Sequence, residues 1–324
     1  MPSIGVGARL AGHRGRADRI GDTALFTLTV VASLTVIAAI GAIAYKVVAG
    51  AEPSISHFGI GFLGRNVWTP NFDIYGAAAF LYGTAVTSVM ALALAMPIGI
   101  AIGLFLSLLA PRRLAAVLGP LVELLAAIPS VVLGLWGIIV LAPFLRSTLE
   151  PALNSVLGWI PIFGAPSPTG LGMFTAGIVL TIMVVPIIAS ISRELFQSVP
   201  GDLKDGALAL GATRWEMVRG VVLASTRPGL AATAILGLSR ALGEAIAVTQ
   251  VIGGGSQSVI NTNFFANGDT LASRIATQFP SSTTKLETAS LFYLAAILLV
   301  IGILVNLAAQ LILRRGTINR GGVR

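Results

Sequence analysis

Cysteine is absent from the 324 residues, and histidine occurs only at positions 13 and 57. The first absence excludes disulfides, thiolate catalysis and cysteine metal sites. The second excludes a histidine-based catalytic or metal site at membrane depth, because His13 and His57 both lie outside the spans identified below. Charge is scarce too: 10% of the residues are charged, against roughly 25% in soluble domains. Basic residues outnumber acidic ones by 21 to 13, a formal charge of +8. Such an excess can mark nucleic-acid binding. Here the basic positions follow membrane topology instead, and no nucleic acid is expected. The three lysines, at 46, 204 and 285, never stand in a G-x-x-x-x-G-K-[ST] context. This sequence therefore offers no P-loop for ATP hydrolysis.

What the chain has in abundance is apolar residues, 55% of the total. A hydrocarbon core about 30 Å thick needs roughly 20 apolar residues per helix. Six stretches qualify: 24–48, 82–110, 117–142, 172–191, 229–252 and 288–313. The first exceeds a signal-peptide core of roughly 7–15 residues and reads as a retained helix. The expected fold is an all-α, polytopic membrane bundle of six transmembrane helices.

Lys and Arg set its orientation by the positive-inside rule. With both termini in the cytoplasm, fifteen basic residues fall inside: Arg9, Arg14, Arg16, Arg19, Arg112, Arg113, Arg193, Lys204, Arg214, Arg219, Arg227, Arg314, Arg315, Arg320 and Arg324. Five fall outside, Lys46, Arg65, Arg146, Arg274 and Lys285, and Arg240 lies within a span. The expected organisation is a basic tail (1–23), a first helix (24–48), an external loop (49–81), a five-helix core (82–313) and a second basic tail (314–324). Further external loops cover 143–171 and 253–287, and one long loop, 192–228, faces inward. Trp68, Trp159, Phe58 and Phe72 are expected near the outer headgroups.

The inward loop reads as two short helices. The first starts near Pro200 and covers 203–210, with Gly211 suited to the left-handed terminating position. The second starts at Thr213, where Thr213-Arg214-Trp215-Glu216 fits a capping box. The result is an elbow with Trp215 just past the bend. Two readings stand for it: a helix pair lying on the membrane surface, or a docking element. The run Asp205-Gly206-Ala207, three residues, then Gly211, with Val221 and Leu223 about ten residues on, resembles the EAA loop of ABC-importer permeases. In that family the loop fits a cleft of a cytoplasmic ATPase. This chain departs from the pattern at Asp205-Gly206, where the family has Glu-Ala, and at Ala224, where it has proline.

Arg240 and Glu244 fall near the middle of the fifth stretch, within Gly237-Leu238-Ser239-Arg240-Ala241-Leu242-Gly243-Glu244. A spacing of four puts them on one helical face. A charge at mid-bilayer costs ~2.5–3.5 kcal/mol or more, so such residues face a bundle interior or a water-filled path. One reading is a neutralised pair holding helices together. The other is an anion site, since the planar Arg fork suits tetrahedral oxyanions. Glu244 would then hold Arg240 while the site is empty, and binding would exchange partners. Ser239 and the flanking glycines leave room for close helix approach. Pro129 either kinks the third stretch or opens it beside a path, with Ser130 supplying a hydroxyl. Glu123, two turns earlier, is either a functional carboxylate or an interfacial one. Gly253-Gly254-Gly255-Ser256 reads as an external turn.

The 237–244 run resembles the Arg-Ala-x-Gly-Glu motif of phosphate-specific ABC permeases of the PstC and PstA type. Ile128-Pro129-Ser130-Val131-Val132-Leu133-Gly134-Leu135-Trp136-Gly137 and Phe80-Leu81-Tyr82-Gly83-Thr84-Ala85-Val86-Thr87-Ser88 match as well, and Trp68-Thr69-Pro70 brings the pattern closest to the PstC type. The resemblance covers about 55–313 and implies a type I ABC-importer permease fold in the bacterial inner membrane. It implies Arg240, Glu244, Ser130 and Ser239 on the phosphate path, and Asp205, Gly206, Ala207, Gly211, Thr213, Trp215 and Glu216 in ATPase coupling. It also implies a second permease of the PstA type, two PstB-type ATPase subunits carrying ATP and Mg, and a PstS-type extracytoplasmic phosphate-binding protein. The chain itself would bind no cofactor or metal, and its other contact is membrane lipid. Three rivals remain: a permease for sulfate or molybdate, an ATP-independent anion channel or carrier, and a membrane enzyme.

Overall fold

The computed structural model describes residues 16–254 and 260–318, with side chains over 21–254 and 260–311. Gly255 and Ser256, His13, and the tails before 16 and after 318 lie outside the described residues. Among those described, helices dominate, and the sole β-contact is an isolated bridge between Thr69 and Ile74. Six helices are long and apolar enough to cross a membrane: Gly21–Phe58, Ala78–Leu109, Ser130–Leu157, Met173–Gln197, Arg214–Gly243 and Lys285–Leu311. They are called the first to sixth spans below.

The chain divides into two units, Met1–Ala49 and Gly50–Arg324. In the smaller, the helix carries exposed apolar side chains such as Leu25, Phe26 and Ile37. Its hydroxyls bond back to their own backbone, Thr27 to the Thr23 carbonyl, Thr29 to Leu25, Ser33 to Thr29 and Thr35 to Val31, each at 2.8 Å. Four polar groups are thereby made compatible with hydrocarbon, where each bare group would cost several kcal/mol.

The larger unit is built on close backbone approaches at glycine. The second and fourth spans run parallel: a Cβ on Gly99 would lie 2.6 Å from Ile188 Cγ2, and one on Gly103 2.9 Å from Ser192 Cβ. Small residues at such crossings let helices gain dispersion contact where no hydrophobic drive exists. The fifth span runs antiparallel to the fourth, with Gly229 against Leu195 and Gly237 against Val184 and Ile188. The fourth span is accordingly the most buried of the six.

Four expectations need correction. The first span is not confined to 24–48: its helix runs on to Phe58, so His57 lies within it and the 49–81 loop loses its first residues to helix. The third stretch is not one helix over 117–142. An Arg112–Ala126 helix ends, and Ser130 starts the span that runs on to Leu157 through wide π-type turns at Gly137–Leu141 and Leu145–Leu149. Pro129 lacks an N–H and pushes Ile128 out of helical space, so an apolar run that hydropathy sees as continuous is broken. Likewise the fifth stretch is not 229–252. Its helix begins at Arg214, passes a wide turn at Val218–Leu223, and stops at Gly243. Glu244 is extended (φ −76°, ψ 116°), and a separate Ile246–Val251 helix follows. The 192–228 loop therefore shrinks, its ends absorbed into the fourth and fifth spans, and the 143–171 loop loses its first half to helix. Finally, Phe72 and Trp159 are exposed as expected, but Trp68 and Phe58 are buried with Phe62, Tyr75, Phe80 and Leu271.

Candidate functional site

The elbow stands at the C-terminal end of the fourth span. Pro200 precedes the Gly201–Ala209 helix in extended conformation (ψ 137°), and Lys204 Nζ donates to the Phe196 carbonyl at 3.1 Å, tying that helix to the end of the fourth span. Gly211 takes φ +88°, a value that needs glycine. Around it the Gly211 N–H donates to the Leu208 carbonyl and the Ala212 N–H to Ala207, satisfying the helix end. The capping box is formed in full: the Thr213 N–H donates to Glu216 Oε2 at 2.8 Å, and the Glu216 N–H to Thr213 Oγ1 at 3.3 Å. The elbow's turn and cap match the sequence reading, while its first helix runs Gly201–Ala209 and not 203–210. Its surface is apolar where water would be expected: Leu210 is 92% exposed and Trp215 65%. Asp205 and Gly206 are exposed, whereas Ala207 packs inward with Val221 and Leu223. Behind the elbow lies a cavity of about 720 Å³ lined by Leu195, Val199, Leu203, Val221 and Gly229.

Arg240 and Glu244 do meet, across a helix end and not along one helix. Arg240 Nη2 lies 4.0 Å from Glu244 Oε2; Arg240 is half exposed and Glu244 largely buried. The other carboxylate oxygen accepts from the Ala247 N–H at 3.4 Å, in the first turn of the next helix. Glu244 thus has a second partner, and the ion pair is long. Ser239 Oγ is buried and has no hydrogen-bond partner among the described residues. Ser130 makes no hydrogen bond to either charged residue, and its span packs on the helix that follows Glu244. The third span runs parallel to the Ile246–Val251 helix, a Cβ on Gly134 falling 3.0 Å from Ala247 Cα and one on Gly137 2.7 Å from Val251 Cγ1. Pro129 and Glu244 each mark a helix break, one before the third span and one after the fifth.

Two other ion pairs are present among the described residues. Arg193 Nη1 and Glu123 Oε1 lie 3.5 Å apart, the guanidinium passing over Gly119. Glu123 thus ties the Arg112–Ala126 helix to the end of the fourth span. At the far end from the elbow, Arg274 Nε lies 3.3 Å from Asp269 Oδ2, both largely buried. The Arg274 guanidinium sits 4.7 Å from the Phe80 ring centre and 5.6 Å from that of Trp68. Burial pushes the Asp269 carboxyl up despite the cation beside it, and pushes Arg274 down. The sequence reading missed this cluster, because charges in a loop look solvated. The available signal was aromatic: Trp68 and Phe80 sit where a loop meets the second span.

Comparison with known proteins bears on the whole chain. Residues 95–317 match the family described as binding-protein-dependent transport system inner membrane component. The phosphate transport system permease protein PstC of Mesorhizobium japonicum is 41% identical over 304 residues, 93% of this chain and 92% of that one. The PstC of Haemophilus influenzae is 40% identical, covering 90% and 91%. A probable PstC of Methanocaldococcus jannaschii is 36% identical, covering 82% and 85%. Among solved structures, a bacterial ABC transporter involved in alginate import is similar at a TM-score of 0.57 and 18% identity, covering 90% of this chain and 97% of that one. The MetNI methionine ABC transporter, inward facing, gives 0.51 and 20%, covering 72% and 93%. At these identities the two structures speak for the fold alone.

Proposed function

The chain belongs to the family of binding-protein-dependent transport system inner membrane components, and from that premise we propose that it is the PstC-type permease subunit of an ATP-driven phosphate importer. The observation that carries the reading is the Arg240–Glu244 pair, lodged where a membrane-spanning helix breaks off. A half-exposed guanidinium on a membrane-spanning helix is costly facing lipid, which supports a path or a partner subunit on that side. Arriving phosphate takes the place of Glu244 on Arg240, and the displaced carboxylate keeps the Ala247 N–H as its partner. Because the empty ion pair is long, the exchange gives up little. Ser130 and Ser239 would offer hydroxyls along the same path.

Supply and drive come from outside the chain. An extracytoplasmic phosphate-binding protein of the PstS type delivers the anion, and a PstA-type permease completes the path. Of two PstB-type ATPases holding ATP and Mg, one docks at the elbow, where exposed Leu210 and Trp215 offer an apolar surface to its cleft. Asp205, Gly206, Ala207, Gly211, Thr213 and Glu216 shape that surface. The positive-inside bias supports an elbow end, and both termini, in the cytoplasm.

The test is labelled phosphate uptake into vesicles holding the assembled transporter, comparing the native chain with Arg240→Gln and using sulfate as competitor. ATP-dependent uptake unaffected by sulfate, and lost in an assembled Arg240→Gln complex, is the expected result. Normal uptake by that variant would remove the anion-site assignment. Competition by sulfate would widen the substrate to oxyanions generally, and uptake without ATP would make the protein a channel or carrier.

A further inference from the structure

The fourth span is 25 residues long, about 37 Å, against a hydrocarbon core of about 30 Å. Its elbow end therefore stands where acyl chains give way to headgroups. There it forms one wall of the cavity behind the elbow, about 720 Å³ in volume and within the range of ligand pockets. Leu195 and Val199 line the cavity from that end, Leu203 from the elbow helix, and Gly220, Val221 and Pro228 from the opening of the fifth span.

The walls offer a guest little to bond. Ser198 Oγ donates to the Leu195 carbonyl and Thr226 Oγ1 to the Val222 carbonyl, each at 2.8 Å, so both protons are spent on backbone. The wide turn at Val218–Leu223 brings Gly220 to the wall, where an added Cβ would meet nothing within 4 Å. Such a space suits an apolar, flexible guest. One charge stands beside it. Arg227 is exposed, makes no ion pair among the described residues, and lies between Thr226 and Pro228, both of which line the wall. Two residues on, Gly229 closes against Leu195 of the fourth span, so Arg227 belongs to the same headgroup level.

These features narrow the occupant. An acyl chain suits the walls, and a headgroup phosphate suits Arg227. A zwitterionic lipid brings its own cation to that rim; an anionic one does not. Basic pockets between spans on the cytoplasmic side bind anionic headgroups, and the positive-inside bias supports this end in the cytoplasm. The bilayer supplies such a molecule at this depth, whereas a protein segment would have to thread between two elements of one chain. Neither Leu210 nor Trp215 lines the cavity, so the ATPase surface proposed above does not require it.

We propose that the cavity behind the elbow holds an acyl chain of an anionic phospholipid, with the lipid phosphate on Arg227 at the rim. The site stands whether or not phosphate is the transported anion.

The full-length chain, purified in its native assembly and placed in nanodiscs, is illuminated with trace phosphatidylglycerol carrying a diazirine near the end of one acyl chain. A parallel sample receives the matching phosphatidylcholine, and labelled peptides are located by mass spectrometry. Labelling should concentrate in 195–203 and 220–229 and be about fivefold stronger with phosphatidylglycerol, the worth of one basic residue beside anionic headgroups. Arg227→Gln should level the two lipids. Gly220→Leu, whose side chain enters the open space, should suppress labelling there and leave it unchanged around Leu135, on the exposed face of the third span. Equal labelling by the two lipids in the native chain would overturn the proposal, and so would a Gly220→Leu pattern identical to the native one. If 195–203 becomes labelled only after partner subunits are stripped away, a protein is the occupant and the proposal fails. ATP-driven phosphate uptake by the same preparation, measured alongside, keeps each of these outcomes separate from the permease reading.

Discussion

The two ends of the helix bundle are made of contrasting material. At the elbow, Leu210 and Trp215 stand in the open, Gly211 occupies a left-handed turn, and a cavity lies behind. At the opposite end Arg274 is sealed between Asp269 and the rings of Phe80 and Trp68, with Phe62 stacked on Tyr293 at 4.4 Å nearby. One end offers apolar surface and a bend, the construction of something gripped and moved. The other spends charge and aromatic area on fixing loops to spans. Between them sits the 4.0 Å Arg240–Glu244 pair, looser than the 3.3 Å Arg274–Asp269 pair. The same two functional groups are held loosely in one place and tightly in the other, and the proposed exchange belongs to the loose pair.

Substitutions can break this contrast. The largest loss of stability is expected for Arg274→Gln, which strands the buried Asp269 carboxylate at a cost of about 3–5 kcal/mol. Denaturant titration of the assembled complex would show it, and a loss below ~1 kcal/mol would mean the clamp is not rigid. Because burial already holds the folded pKa of Asp269 above its unfolded value, this residue's contribution is greatest at low pH and is lost as pH rises through the folded pKa. The variant should accordingly recover stability on acidification. Next comes Gly211→Val, which forces a β-branched residue to φ +88° at a cost of roughly 1–3 kcal/mol. Its signature is ATP hydrolysis that no longer drives uptake; an unchanged ratio of hydrolysis to transport would count against the elbow as coupling element. Thr213→Ala removes the cap for about 1 kcal/mol and should raise hydrogen exchange at the Glu216 and Met217 amides. Leu210→Ser should leave stability within about 0.5 kcal/mol while weakening retention of the ATPase on purification. Full retention would sink the docking assignment.

Much of this was legible in the sequence because the signals were local or cumulative. Six apolar runs give six spans, and a glycine followed by Thr-x-x-Glu gives an elbow whose turn and cap both appear. The breaks were harder. Residues 117–142 and 229–252 are apolar enough throughout to average as single helices, and hydropathy carries no term for a missing N–H at Pro129 or for a chain turning at Glu244. A spacing of four between Arg240 and Glu244 brought them together for a reason other than the helical face it suggested. The Arg274–Asp269 clamp depends on residues from 68 to 274 meeting in space, which no local pattern encodes.

The glycine contacts of the third span have a mechanical consequence. At Gly134 and Gly137 the backbone meets the Ile246–Val251 helix with no space for one more carbon. A slip of a single residue, about 1.5 Å, would drive Gln250 or Val251 into the main chain. Those two helices must therefore travel as one plate, carrying Ser130 and the Glu244 corner with them. A carrier that opens first to one side and then to the other has to part along some seam. With this seam closed, any such parting has to come elsewhere in the bundle.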